Sequence, residues 1–329
     1  MLINVVLVIV AIIVLAIIGV GVHELGHLVC GWLTGYKFGL FRIGSLAWFK
    51  ENGKIKFKIS KNSMAGQCTM IPVENEDDFK FILMLLGGGI FNFLAIIILL
   101  IIWHYLPDDH LLRGVMLVGI IHNLYLGISN LYPNKSWIND GAILASALKS
   151  NDAKRGLYLA FHLNGEFLKG KRYSDFKTDL FCLSPEADLT NFSIADIVLY
   201  EAQYWEDLGQ YEKALAKYTS LDLEQLPSYY KNLIHLALLY IYSACIPSHE
   251  KAQAIYQDKE FQKYLKLNLP EFKRILSAYE FFVTGNYNKA TELINQAKKD
   301  GENIPNHGEL LMELDYINRL EVKMSEMKV

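Results

Sequence analysis

Three stretches of the chain are almost free of charged side chains. Residues 1–22 carry none, residues 81–107 none except His104, and residues 114–134 none except His122. Each reaches the roughly 20 residues that a helix needs to cross about 30 Å of hydrocarbon. The pattern predicts three membrane-spanning helices, at about residues 2–33, 80–106 and 112–133. From Lys149 onward no such run occurs. The expected organisation is a membrane domain over residues 1–148, a connecting helical segment over 149–193, and a helical domain outside the membrane over 194–329.

Between the first two spans the period changes from helix to strand. Asn52-Gly53 is a two-residue hairpin signal, and Ile55, Phe57 and Ile59 alternate with Lys54, Lys56 and Lys58 after it. Phe41 to Phe49 before it is apolar and aromatic. These residues predict a basic, amphipathic β-hairpin at about 38–60, lying against the inner membrane surface or standing as a solvated hairpin whose lysines protect its edges. Beyond Ser193 a repeat emerges. Gly209-x-Tyr211-x-x-Ala214-x-x-x-Tyr218 is echoed by Gly285-x-Tyr287-x-x-Ala290-x-x-x-Ile294, with His249-x-x-Ala252-x-x-x-Tyr256 between them. Ala214, Ala252 and Ala290 stand 38 residues apart, and small residues there, with Ala202 and Ala278 on the preceding helices, allow paired antiparallel helices to approach closely. Gly301 to Val329 supplies a final helix to cap the stack.

The total charge of −3 among 329 residues says little, and no nucleic-acid partner is expected. Its distribution says more. Lys37, Arg42, Lys50, Lys54, Lys56, Lys58 and Lys61 crowd the loop after span one, whereas the loop after span two has Asp108, Asp109, His110 and Arg113. The positive-inside rule places the first loop, and with it the C-terminal half, in the cytoplasm. Cys30, Cys68, Cys182 and Cys245 lack any C-x-x-C spacing and read as buried or incidental thiols in a reducing compartment. The first apolar run has no basic residues before it and no small-residue cleavage site after it, so it reads as a retained span, not a removed signal.

That span runs directly into His23-Glu24-Leu25-Gly26-His27. On a helix, residues four apart share a face, so His23 and His27 can present two imidazoles to one Zn²⁺ with Glu24 beside it as the base. Ionisable groups in an apolar helix are costly and functional by default. A tetrahedral site with an open position needs a third ligand. Asp140, just after span three, is the best candidate, because a span entering from outside ends at the depth of His23 and His27. Glu51 competes by its distance from His27 but sits beside the hairpin turn among lysines. His104 and His122 lie in spans without paired spacing; the first suits the interface beside Trp103 and Tyr105, and the second a packed, hydrogen-bonded role.

Three motifs in this order resemble the site-2 protease family of intramembrane zinc metalloproteases. They are His23-Glu24-Leu25-Gly26-His27, Gly88-Gly89-Ile90-Phe91-Asn92, and Asn130-x-x-Pro133 followed by Asp140-Gly141, over about residues 1–148. Gly89 stands where the family has proline, and the stretch from Asn130 to Asp140 is about two residues longer than usual. The resemblance implies one Zn²⁺ per chain held by His23, His27 and Asp140, Glu24 as catalytic base, and Asn92 and Asn130 as polar residues that orient substrate. The run Gly87-Gly88-Gly89 offers either close approach of a substrate backbone at Gly88 or tight helix packing. The C-terminal repeat resembles the tetratricopeptide helix-turn-helix over about residues 194–300, although its period exceeds the usual 34 and Pro247 replaces the middle turn glycine.

The expected fold is thus an all-α membrane protein: a three-span site-2-protease-like core with a small cytoplasmic β-hairpin, followed by a cytoplasmic tetratricopeptide-like domain. The expected activity is zinc-dependent endopeptidase cleavage of membrane-associated protein or peptide precursors near the cytoplasmic face, in a multi-pass protein of a bacterial cell membrane. The repeats would recruit or gate substrate, or bind a cytoplasmic protein partner. A factor dedicated to maturing one exported peptide would share this chemistry. The rival from another class is a catalytically silent metal-binding scaffold, against which the intact Glu24 speaks.

Overall fold

The computed structural model describes the chain apart from residues 1, 52, 73–74, 109–110, 135–137, 268, 302–303, 305 and 328–329. Asn52 of the expected turn, and Asp109 and His110 of the loop after the second apolar run, lie outside the described residues. The chain divides into two compact units, residues 1–165 and 166–329.

In the first unit the apolar runs become α1 (Leu2–Leu33), α2 (Ile82–Tyr105) and α3 (Leu111–Leu131). Among the described residues these three are the helices long and apolar enough to cross a membrane. Their outer faces carry half-exposed aliphatic side chains, such as Ile9, Ile13 and Ile17 on α1, Ile97 and Ile101 on α2, and Ile121 and Ile128 on α3. A surface of that kind suits hydrocarbon, not water. α2 and α3 stop where prolines forbid continuation, since Leu106 precedes Pro107, Tyr132 precedes Pro133, and a residue before proline is pushed out of the helical region. The three helices pack pairwise on one another. α1 and α2 meet backbone to backbone, with Gly26 against Gly87.

The connection between α1 and α2 is a longer hairpin than the alternation of Lys54 to Ile59 announced. β1 (Lys37–Glu51) and β2 (Lys54–Ile71) pair antiparallel over almost their full lengths. Among the described residues the sheet consists of these two strands. The far half holds the predicted pattern, with Trp48 opposite Phe57 and Leu46 opposite Ile59. An irregularity at Gly44, which has φ +57°, re-aims the strands, and the near half then packs on α1. There Met70 is fully buried, so the strand continues because it has a core to cover, which period-2 reading of an exposed tip does not reveal.

α4 (Asp140–Ala147) and α5 (Asn151–Leu168) complete this unit. Leu157 of α5 joins a cluster of Tyr36, Met70, Phe79, Phe81, Met84 and Leu85, with Tyr158 and Phe161 packed against it. Burial of these side chains carries the first unit through most of α5, past the boundary near residue 150 that composition suggested.

The second unit is helical: α6 (Phe192–Asp207), α7 (Tyr211–Tyr218), α8 (Ser228–Tyr240), α9 (His249–Gln257), α10 (Lys259–Tyr264), α11 (Pro270–Phe282), α12 (Tyr287–Gly301) and α13 (His307–Glu326). α6 packs on α7, α8 on α9, and α11 on α12. Ala202, Ala214, Ala252, Ala278 and Ala290 are all fully buried, as close helix approach requires. Gly209 and Gly285 make the outer two turns with φ near +71°. The middle turn, with Pro247 in place of glycine, is built differently: residues Ile241–Cys245 widen into a π-helical turn that ends on Ile246 N–H donating to Ile241 O at 2.8 Å. α13 packs on α11 and α12 and is tied down by Arg172, Asp207, Asp315 and Arg319. Of the cysteines Cys30 is buried, but Cys182 is exposed.

Candidate metal centre

His23 and His27 occupy successive turns of one face of α1 and are both buried. Their Nε2 atoms lie 3.2 Å apart. Asp140 Oδ2, delivered by the start of α4, lies 3.1 Å from His23 Nε2 and 3.3 Å from His27 Nε2. Among the described residues this is the cluster of His, Cys, Asp and Glu able to hold a metal ion.

Hydrogen bonds decide what these atoms offer. His27 Nδ1 is 2.8 Å from the Met84 carbonyl, which can only accept, so that nitrogen carries the ring proton. His23 Nδ1 is 2.7 Å from Asn92 Oδ1. The amide nitrogen of Asn92 donates to Gly19 O at 3.2 Å, so its oxygen is the acceptor and His23 Nδ1 the donor. Both Nε2 atoms are then lone pairs. They face each other and a carboxylate oxygen, an arrangement of three acceptors that repel unless a cation sits among them. Bonds of 2.0–2.1 Å at tetrahedral angles place donor atoms about 3.3 Å apart. The observed triangle of 3.1, 3.2 and 3.3 Å has those edges, and two imidazoles with a carboxylate are a zinc donor set. The residues fit the ion.

Glu24 is buried beside this triangle, and its carboxylate faces β2 at Gly66. A Cβ on Gly66 would overlap Glu24 Oε1 and lie 2.8 Å from its Cγ, so glycine there makes the room that the carboxylate occupies. Burial, together with the Glu24 charge, pushes the nearby Cys68 thiol up, which keeps it protonated and inert.

Asp140 is placed by its neighbour. Asn139 caps α4, its Oδ1 accepting from Ala142 N–H at 2.8 Å, and its amide donates to Ser129 O at 2.6 Å and Tyr132 O at 2.7 Å. One side chain thus closes the start of α4 and ties it to the end of α3. Asn139→Ala removes all three bonds. A cap alone contributes about 1 kcal/mol, and an unanchored ligand costs about tenfold or more in metal affinity. Zinc competition with a chromophoric chelator should therefore show weaker binding in this variant, with α-helical content unchanged.

Other residues singled out by sequence fall in different places. Asn92 has no exposed surface, and its oxygen and nitrogen are both engaged within the protein, so it stands behind His23 instead of toward a substrate. Gly88 lies against the two imidazoles: a Cβ there would lie 2.5 Å from His23 Nε2 and 2.6 Å from His27 Nε2. Asn130 turns its amide back to Leu126 O, 3.0 Å away on its own helix. Glu51 ends β1 at the tip of the hairpin. His104 is exposed in the last turn of α2, its ring 5.3 Å from that of Tyr105. His122 packs its ring over Gly19, and among the described residues its buried Nε2 has no hydrogen-bond partner.

Sequence reasoning passed over Asn139 and Asn123. The first carried a helix-start signal, an Asn directly before the helix. The second carried only the oddity of an amide in an apolar span.

The chain matches the profile of peptidase family M50 over residues 10–284. No curated protein and no solved structure matched it. With a match that covers most of its length, three apolar helices and a His-His-Asp cluster, the chain belongs to peptidase family M50, a family of membrane metallopeptidases.

Proposed function

We propose that this protein is a zinc-dependent intramembrane endopeptidase of the site-2 protease type, with His23, His27 and Asp140 as ligands and Glu24 as the catalytic base. The observation that carries the reading is the convergence of three lone-pair atoms at tetrahedral spacing beside a buried glutamate. His23, His27 and Asp140 would hold the zinc ion, which would supply Lewis acidity to make water nucleophilic near neutral pH and to polarise a scissile carbonyl. Glu24 takes a proton from the attacking water. As the carbon–nitrogen bond breaks, the same carboxyl returns that proton to the departing amine.

The substrate is a membrane-associated protein or peptide, cleaved near the cytoplasmic face. A transmembrane helix hides its carbonyls in internal hydrogen bonds, so the cleaved segment must be extended or unwound. The hairpin supports this, since among the described residues its two strands pair with each other and leave their outer edges open, and β2 passes over Glu24 at Gly66. A peptide added to such an edge is held by its backbone. The lysines around the hairpin support a cytoplasmic location for it and for the second unit. The buried alanines at a 38-residue interval support a tetratricopeptide-like array that recruits or gates substrate.

The test compares peptide termini in membranes of cells that express the wild type or Glu24→Gln, matched for zinc content. The expected result is a product that disappears with Glu24→Gln while zinc stays bound, a rate loss of at least about 100-fold. If no terminus differs between the two, the protease reading fails and a scaffold role takes its place.

A further inference from the structure

We infer that Asn123 is a positioning residue for the metal centre, acting through Asn92 to hold His23 with its proton on Nδ1 and its Nε2 lone pair toward the metal. The inference rests on the zinc reading above and extends it to a residue that touches none of the ligands.

The warrant is a directional chain of amides across three helices. Asn123 of α3 donates Nδ2 to Gly119 O at 2.9 Å. Its Oδ1 is left to accept, and it takes the Asn92 amide at 2.9 Å. Asn92 of α2 makes its second donation to Gly19 O of α1, 3.2 Å away. Both Asn92 hydrogens are then committed, and only Oδ1 can meet His23 Nδ1 at 2.7 Å. Backbone carbonyls cannot donate, so Gly119 and Gly19 fix the sense of every bond in the chain. Asn92 is wholly buried and Asn123 almost so. Buried amides at membrane depth are expensive unless satisfied, and a flip of either would set donor against donor.

The consequence reaches the metal. With Asn123 replaced by an apolar residue, one Asn92 hydrogen loses its partner, and rotation of that amide presents N–H to His23 Nδ1. The ring must then move its proton to Nε2 or turn away, and either change removes a ligand. Outer partners of ligating histidines are typically worth about 10- to 100-fold in metal affinity.

The experiment uses the full-length protein, purified in detergent micelles, and measures the zinc dissociation constant by competition together with the visible absorption of the Co²⁺-loaded form. Asn123→Leu should weaken zinc binding about tenfold or more and alter the Co²⁺ bands. Asn123→Asp is the conservative variant: protonated in this apolar setting, it keeps a donor for Gly119 O and an acceptor for Asn92, and should restore both readouts. Asn92→Leu should weaken binding at least as much, and the Asn92→Leu/Asn123→Leu double variant should be no worse than Asn92→Leu alone. If Asn123→Leu does not fold, Asn123→Ala carries the same expectation. Wild-type zinc affinity and Co²⁺ spectrum in the Asn123 variants, or effects of the two asparagines that add, would overturn the relay. A wild type that binds no zinc would overturn the metal reading itself.

Discussion

Gly88→Ala should give a folded protein without its metal. The added methyl would sit 2.5 Å from His23 Nε2 and 2.6 Å from His27 Nε2, well inside van der Waals contact with both ligand atoms. Neither imidazole can step aside cheaply. His23 is tied through Nδ1 to Asn92, and His27 through Nδ1 to Met84 O. The methyl would also fall where the third ligand and the ion converge on those nitrogens. Zinc affinity should drop by about 100-fold or more, the upper range for disturbed ligand shells. Zinc per chain, measured by mass spectrometry on purified protein, reads the effect, and circular dichroism shows whether the helices persist. Full zinc occupancy with lost cleavage would instead place Gly88 against the substrate backbone.

The i, i+4 spacing of His23 and His27 is a property of one helix, and a helix puts such residues on one face whatever surrounds it. Three apolar runs of sufficient length are equally local signals. These features were legible for that reason, as was Asp140, through the alternation of spans and the Asp-Gly that follows the third. Which residues of α2 look at the imidazoles depends on how far α2 is rotated about its axis, and no periodicity in a uniformly apolar helix reports that. Gly88, Met84 and Asn92 lie on the face turned to α1 because Gly26 and Gly87 fix the crossing there. The same gap hid Asn123, whose role exists only once α3 is packed. In the hairpin, the exposed tip showed clean alternation, but the half that packs on α1 lost it, so strand length was underestimated. In the second unit the alanine interval was visible, whereas the π-helical turn at Ile241–Cys245, which replaces a glycine turn, was not.

The rotation and spacing of α1 against α2 therefore rest on the Gly26–Gly87 contact, and Gly26→Val should disrupt both the fold and the site. A Cβ on Gly26 would overlap Gly87 O and lie 2.6 Å from Gly87 C, and a Cβ on Gly87 would overlap Gly26 O in return. Backbone cannot rotate out of the way as a side chain can. The helices must separate by about an ångström or more, and packing between small residues at van der Waals distance is what holds membrane helices together. The same separation stretches His27 Nδ1 to Met84 O from 2.8 Å and His23 Nδ1 to Asn92 Oδ1 from 2.7 Å, beyond useful hydrogen-bond length. Overpacking usually costs about 1–3 kcal/mol, and the two broken bonds place this variant at the upper end or above it. Denaturation followed in metal-free protein separates the two glycines. Gly26→Val should lower stability with no zinc present, because the helix interface itself is displaced. Gly88→Ala should leave the metal-free protein close to wild type, and differ from it only when zinc is added and fails to stabilise the fold. Equal stability of metal-free Gly26→Val and wild type would mean that α1 and α2 tolerate a wider crossing, and that the hydrogen bonds to Met84 and Asn92 set the position of α1.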